Sequence, residues 1–237
     1  TINYEAENDD GNTLKRGAWR IWNGSGPSYS DKVHIRPLMR TYEWSVWSQD
    51  EQKFTCKSVQ RPTLSGEFPD NQGGNKCGRL TRAEEETLPD DDPRVILSQS
   101  VNCNQVLYGV LDAPDATAAD GTPTPLENVP FMAYFKRSGF RPVRDFIDQQ
   151  LTRRKILMQK AVIELTTEKN KKGSVIFWTP KLSLVKEVSI TDADKDLIKN
   201  FGETVKAHNE SVMVEYKAAV KMSMNDEDLD LAQRFAS

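Results

Sequence analysis

The sequence predicts an α+β fold built mainly from antiparallel β-strands. Short segments rich in β-branched and aromatic residues alternate with turn-forming segments through most of the chain. Apolar residues at helical spacing begin late, at Pro142 and again at Asp192. The 237 residues, 37% of them hydrophobic, are enough to bury a substantial core.

Six segments are predicted as strands: 33–47, 52–60, 101–111, 129–137, 161–167 and 174–190. The turn sequence EKNKKG joins the last two into a hairpin, and Pro180 should bend the final strand or hold it at a sheet edge. Segments rich in Gly, Pro and Asp are predicted as loops, at residues 66–78, 86–94 and 112–125.

Two helices follow from apolar spacing. The first begins at Pro142, whose fixed φ suits a first helical residue, and it extends to Lys160. One face of this helix carries Val143, Phe146, Ile147 and Leu151. The second begins near Asp192, a suitable N-cap, and is long and amphipathic. Its apolar stripe must pack on the sheet or on another subunit.

Charge divides the chain into three parts. Residues 1–12 form an acidic arm, residues 13–222 a single folded domain with most of the basic residues, and residues 223–237 an acidic tail expected to be flexible. The formal net charge of −3 therefore hides a basic body between acidic ends.

Several classes of protein are not expected from this sequence. No apolar run approaches the roughly 18 residues of a membrane span, and no export leader opens the chain. Three cysteines cannot all pair with one another, which suits the reducing cytoplasm. Motifs for nucleophilic catalysis, phosphate loops and dinucleotide binding are missing, so an enzyme is not expected.

The order of elements narrows the fold. Several strands, then a helix, then a two-stranded hairpin is the order of an OB-fold barrel, a fold whose loops and sheet bind oligonucleotides. The sequence therefore predicts an OB-fold-like barrel with added strands, an internal helix and a long C-terminal amphipathic helix.

Strand alternation places aromatic rings beside cations on one face of three segments. In RGAWRIW, Trp19 faces the core while Arg20 and Trp22 face outward. An aromatic ring gains roughly 1–3 kcal/mol by stacking on an unpaired base, and neighbouring cations meet phosphates. The predicted nucleic-acid-binding residues are Arg20, Trp22, Arg36, Arg40, Tyr42, Trp44, Tyr134, Lys136, Lys169, Lys171 and Lys172. The alternative is that these rings are ordinary core or interface residues.

The segments RGAWRIW, RTYEWSVW and AYFKRSGFRPVR, followed by the tail MNDEDLDLAQRFAS, resemble a phage-type single-stranded DNA-binding protein in layout. The resemblance implies binding of single-stranded DNA with little sequence preference during DNA replication, recombination or repair. It also implies a virus-encoded protein in the host cytoplasm, whose acidic tail recruits replication or recombination proteins.

Other hypotheses stay open at this point. A structural or interaction protein, such as a virion component, would use the same rings and the long helix for assembly into homo-oligomers. A metal-dependent nuclease would use Asp90 and Asp91. His34, Cys56, Cys77 and Cys103 could supply zinc ligands, but they lack a C-x2-4-C pair, so no metal or other cofactor is expected.

Overall fold

A computed structural model describes residues 1–24 and 26–223. Except for Ser223, the predicted acidic tail lies outside the described residues. Ser223 itself ends the last helix.

Antiparallel strands dominate the fold, as predicted. A two-stranded sheet contains β1 (Trp19–Trp22) and β2 (Pro27–Ser30). Within the described residues a second sheet contains six strands, listed in chain order: β3 (Val33–Ser48), β4 (Lys53–Lys57), β5 (Asn102–Ala113), β6 (Leu126–Lys136), β7 (Ala161–Lys172) and β8 (Val175–Glu187). The strand order is β6-β5-β3-β7-β8, and β4 pairs with β3 off this path.

The closed barrel is not confirmed. Among residues 1–24 and 26–223 the strands form an open path that ends at β6 on one side and β8 on the other. The α+β class, the mainly antiparallel pairing and the long C-terminal helix are confirmed.

The described helices are α1 (Arg82–Glu85), α2 (Pro93–Ser100), α3 (Phe140–Asp145) and α4 (Asp192–Ser223), and α3 continues as a π-helix over Phe146–Leu151. The predicted loop at 86–94 is wrong at its end, because Asp92 caps α2 and Pro93 is its first residue. The predicted internal helix begins two residues earlier than expected and ends before Lys160, which lies in a 3-10 turn.

The described chain divides into two compact units, where the sequence predicts one domain over 13–222. Unit 1 contains Thr1–Arg40 and Gln105–Phe201, and unit 2 contains Thr41–Asn104 and the described residues from Gly202. The core of unit 1 contains the predicted inner residue Trp19 and the predicted apolar face of the internal helix, namely Val143, Phe146, Ile147 and Leu151. Trp19 Nε1 donates a hydrogen bond to the Leu165 carbonyl at 3.1 Å.

Unit 2 has a smaller apolar core and a buried polar network. Val46, Cys56, Cys77 and Val101 form the core, with Trp44 packed against it. Glu43 is fully buried and accepts a hydrogen bond from Gln60 Nε2 at 2.9 Å. His208, predicted on the apolar stripe of the last helix, lies with Nε2 3.0 Å from the Ser58 carbonyl.

The described helices include none that is long and apolar enough to cross a membrane.

Candidate functional site

The predicted arginines of β3 are held in ion pairs within unit 1. Arg36 Nη1 lies 2.7 Å from Asp194 Oδ2, and Arg40 Nη1 lies 2.7 Å from Asp148 Oδ1. Desolvation of Asp194 opposes its ionisation, but hydrogen bonds from Arg36 and Thr191 outweigh this and lower the pKa of Asp194. Both guanidinium groups thus already have a carboxylate partner within the fold, and contact of Arg36 and Arg40 with phosphates stays a prediction.

The predicted rings of β3 also belong to the fold. Tyr42 is 4% exposed, and its neighbour Glu43, which points to the opposite face, is fully buried. Trp44 is half-buried and packs edge-on against Phe68, with ring centroids 6.4 Å apart. Strand β3 is covered on both faces at Tyr42, so a base does not reach the Tyr42 ring, whereas stacking on the half-buried Trp44 stays a prediction.

Strand β1 has the predicted alternation. Trp22 is 69% exposed, whereas Trp19 is 7% exposed. Arg20 is partly buried, and its Nη1 lies 3.4 Å from Glu5 Oε2. An ion pair of this kind at the surface contributes little to stability. Beside Trp22 a cavity of about 400 Å³ is lined by Arg20, Phe131 and Met132 among others. Arg20 and Trp22 therefore line an apolar cavity together with residues from the middle of β6.

The outward side of β6 carries a ring and a cation. Tyr134 is 37% exposed and Met132 is 51% exposed, whereas Phe135 between Tyr134 and Lys136 is buried. Lys136 is exposed at the end of the strand. Desolvation, followed by repulsion from Arg137, lowers the pKa of Lys136. An anion bound near Lys136 would oppose this repulsion.

The hairpin of β7 and β8 carries the predicted lysines at its tip. Lys169, Lys171 and Lys172 are exposed, and no described residue forms an ion pair with them. Lys169 pairs across the hairpin with Trp178, and Lys171 pairs with Ile176. Directly opposite residues share a face of the sheet, so both lysines lie beside an apolar side chain.

Trp178 was not predicted from the sequence as a site residue. Its ring packs edge-on against Tyr4, with centroids 5.4 Å apart, and it lies over Gly17. A Cβ at position 17 would come within 2.4 Å of Trp178 Nε1. The register set by the EKNKKG turn was the signal that could have placed Trp178 beside Lys169.

In the acidic loop, the residue that follows Asp90 and Asp91 has a structural role. Asp92 caps α2 through Arg94 N at 2.8 Å. Hydrogen bonds from the Arg94 side chain and backbone lower the pKa of Asp92 to about 2. The Asp92 carboxylate, which follows Asp90 and Asp91 in the sequence, is thus paired with Arg94.

The structure brings together two of the four zinc ligands considered from sequence. Cys56 and Cys77 lie with Asp70, all three buried, while Cys103 and His34 are outside this group. His34 lies in unit 1 with its Nε2 3.5 Å from Glu164 Oε2. Sequence spacing could not show the group because 20 residues separate the two cysteines.

The chain matches no family model, no curated protein and no solved structure.

Proposed function

We propose that the chain binds single-stranded DNA through unit 1, with the hairpin of β7 and β8 holding the phosphates and exposed rings stacking on bases. The main support for this proposal is the group of exposed lysines at the hairpin tip. There, Lys169 and Lys171 lie opposite Trp178 and Ile176, and no described residue neutralises them. Trp22 and Tyr134 supply the more exposed rings.

Strand order supports an OB-type origin for this unit. An OB barrel follows the order 1-2-3-5-4 before closing on strand 1, with a helix between strands 3 and 4. If β3, β5, β6, β7 and β8 are strands 1 to 5, the order β6-β5-β3-β7-β8 is that of such a barrel opened between strands 3 and 5. The helix α3 then has the required position, and the lysine-bearing tip corresponds to the oligonucleotide-binding loop between strands 4 and 5.

The beginning of α4 limits where a DNA strand can bind. In unit 1, Asp194 pairs with Arg36 on β3, and Phe201 packs on Tyr108 of β5 with ring centroids 5.4 Å apart. Contact with α4 therefore occupies that side of β3 and β5. Trp22 on β1, the outward residues of β6 and the hairpin tip remain exposed and can meet a ligand.

Exposed rings and lysines are suited to bind unpaired DNA strands, and to do so with little preference for base sequence. Every base has a π-face, while bases in a duplex already stack on each other. Lysine meets phosphate as a mobile point charge and reads no base. The proposed role is replication, recombination or repair in the host cytoplasm, with the acidic tail binding partner proteins.

Fluorescence anisotropy with labelled oligo(dT), recorded over a range of salt concentrations, tests the proposal. The variant K169Q/K171Q/K172Q should bind more weakly and lower the log–log salt slope by about 2, since each single-strand phosphate contributes about 0.7. The control K199Q/K206Q/K217Q removes the same charge from exposed positions on α4 and should change the slope much less.

An assembly role has one supporting observation. On α4, Val214 is 70% exposed and Met222 is 86% exposed. If oligo(dT) leaves the anisotropy unchanged while the chain sediments as an oligomer that V214E disperses, the assembly role replaces DNA binding. Equal slopes for the two triple-lysine variants would also remove the hairpin from the DNA-binding site.

A further inference from the structure

A second site lies in unit 2, where two thiols and a carboxylate converge. Cys56 is on β4, Asp70 is in the loop that follows, and Cys77 is in a 3-10 turn at Lys76–Gly78. Their ligand atoms all lie within 4.8 Å of one another. Exposure is 6% for Cys56, 1% for Asp70 and 4% for Cys77. This group is distinct from the residues proposed to bind DNA.

The loop is built around the Asp70 carboxylate. Its Oδ1 accepts hydrogen bonds from the backbone of Gln72 at 3.1 Å and of Gly74 at 3.0 Å, and its Oδ2 accepts one from Cys77 N at 2.8 Å. Two carboxylate oxygens offer about four lone-pair positions, so after three backbone hydrogen bonds one position remains that could bind an ion. The carboxylate is therefore fixed in orientation before any ion arrives.

Cys77 lies in a turn that contains two consecutive left-handed residues. Lys76 has φ 55° and Cys77 has φ 54°, left-handed values that residues other than glycine rarely adopt. Cys77 Sγ donates to the Trp44 carbonyl at 3.4 Å. The Cys56 and Cys77 sulfur atoms lie within 4.8 Å of each other and of an Asp70 carboxylate oxygen.

We propose that Cys56, Asp70 and Cys77 form a zinc site with an open fourth position. Two thiolates and one carboxylate are ligands that Zn²⁺ accepts, whereas Mg²⁺ and Ca²⁺ prefer oxygen ligands alone. The three residues also line a cavity of about 440 Å³, together with Thr55, Gln72 and Leu97. Three protein ligands facing a cavity leave room for water or a small ligand on the ion.

Loading the site changes the protonation of the thiols. Each cysteine gives up its S–H proton as its sulfur binds Zn²⁺, so one ion displaces two protons, and Asp70 binds as the carboxylate. The resulting Zn²⁺, two thiolates and one carboxylate carry a net charge of −1. Affinity should fall as pH falls, because protons compete for the two sulfurs.

Metal analysis of the full chain tests the site without reference to DNA. Protein prepared in zinc-supplemented medium should hold one zinc per chain by inductively coupled plasma mass spectrometry. Cobalt titration of the zinc-free chain should give the strong visible bands of a tetrahedral ion and sulfur charge-transfer absorption. Less than a tenth of an equivalent of zinc, with no cobalt bands, would overturn the proposal.

Variants distinguish the site from adventitious binding. C56S and C77S should each lose zinc and the charge-transfer band, and D70N should weaken zinc binding at least tenfold. C103S is the matched control, since Cys103 lies outside the group, and it should keep one equivalent. If C56S or C77S fails to fold, the zinc content and the cobalt spectrum of the wild-type chain decide whether the zinc site exists. A Cys56–Cys77 disulfide in the freshly isolated chain, found by non-reducing peptide mass mapping, would instead identify a redox pair and overturn the zinc site.

Discussion

The two tryptophans of β1 have different surroundings three residues apart. Trp19 packs against Phe135 with ring centroids 6.4 Å apart and bonds to Leu165, whereas Trp22 is exposed beside an apolar cavity. Alternation along a strand is a local property, so it was predictable from RGAWRIW alone.

Replacing each ring should separate binding from stability. Trp22→Ala should weaken oligo(dT) binding about 5- to 150-fold, the equivalent of roughly 1–3 kcal/mol for one lost base stack, and leave Tm unchanged. Trp19→Ala should destabilise the chain by about 3–5 kcal/mol through a core cavity. Urea unfolding and anisotropy measure the two effects. A large loss of stability in Trp22→Ala would show that its ring has a structural role.

The buried Glu43 makes unit 2 sensitive to pH. Burial raises the pKa of Glu43 above its ordinary 4.5, while hydrogen bonding by Gln60 and the charges of His208 and Lys57 partly oppose the rise. A carboxyl group with a raised folded-state pKa stabilises the fold fully below its unfolded pKa, and this contribution is lost as pH rises through the folded value.

Glu43→Gln should therefore gain stability over the wild type as pH rises above about 4.5, because the amide cannot ionise in the buried site. Thermal unfolding of both chains from acid to neutral pH measures the difference. A Tm difference that stays constant across this range would contradict a titrating Glu43.

At the scale of elements, packing of the N-terminal segment on the β7–β8 hairpin depends on one glycine. Gly17 has φ 87°, and a side chain there would meet Trp178. Gly17→Ala should cost about 1–2 kcal/mol for the left-handed backbone and about 1–3 kcal/mol for the clash. Gly24→Ala is the matched control, with φ 90° and nothing within 4 Å. Equal losses in urea unfolding would mean that Trp178 moves aside freely.

The start of α4 should depend on its buried ion pair. The Arg36 side chain is 17% exposed and that of Asp194 is 3% exposed, so Asp194→Ala leaves a nearly buried guanidinium unpaired and should cost about 3–5 kcal/mol. Asp192→Ala removes a carboxylate that is 93% exposed and pairs with Lys195, and it should cost less than about 1 kcal/mol. Urea unfolding of both variants measures the contrast, and similar costs would contradict a stabilising role for the pair.

At the scale of the whole molecule, opposite charges are segregated along the sequence. The segment 224–237 contains Asp226, Glu227, Asp228 and Asp230 against Arg234 alone. Deleting 224–237 should raise the affinity for oligo(dT) at low salt, because a negative segment no longer competes for the lysines. The gain should shrink as salt screens the charges. Anisotropy at low and high salt measures it, and an unchanged affinity at low salt would show that the tail does not compete.

The order of most elements, and the sides of β1, β6 and α3 that face inward, could be predicted from the amino-acid sequence. Those features follow from side-chain periodicity, which is written in neighbouring residues. The sequence could not reveal α1 from apolar spacing, since α1 has no buried residue and depends on its Thr81 and Glu84 capping box.

Tertiary structure alone decided which cations are free and which cysteines meet. The sequence predicts the same phosphate-binding role for Arg36 and Lys169, yet Arg36 is neutralised by Asp194, 158 residues away, while no described residue pairs with Lys169. Cys56 and Cys77 likewise converge only because the loop between them folds around Asp70. Such pairings depend on distances between segments far apart in the chain, and no local pattern of residues encodes them.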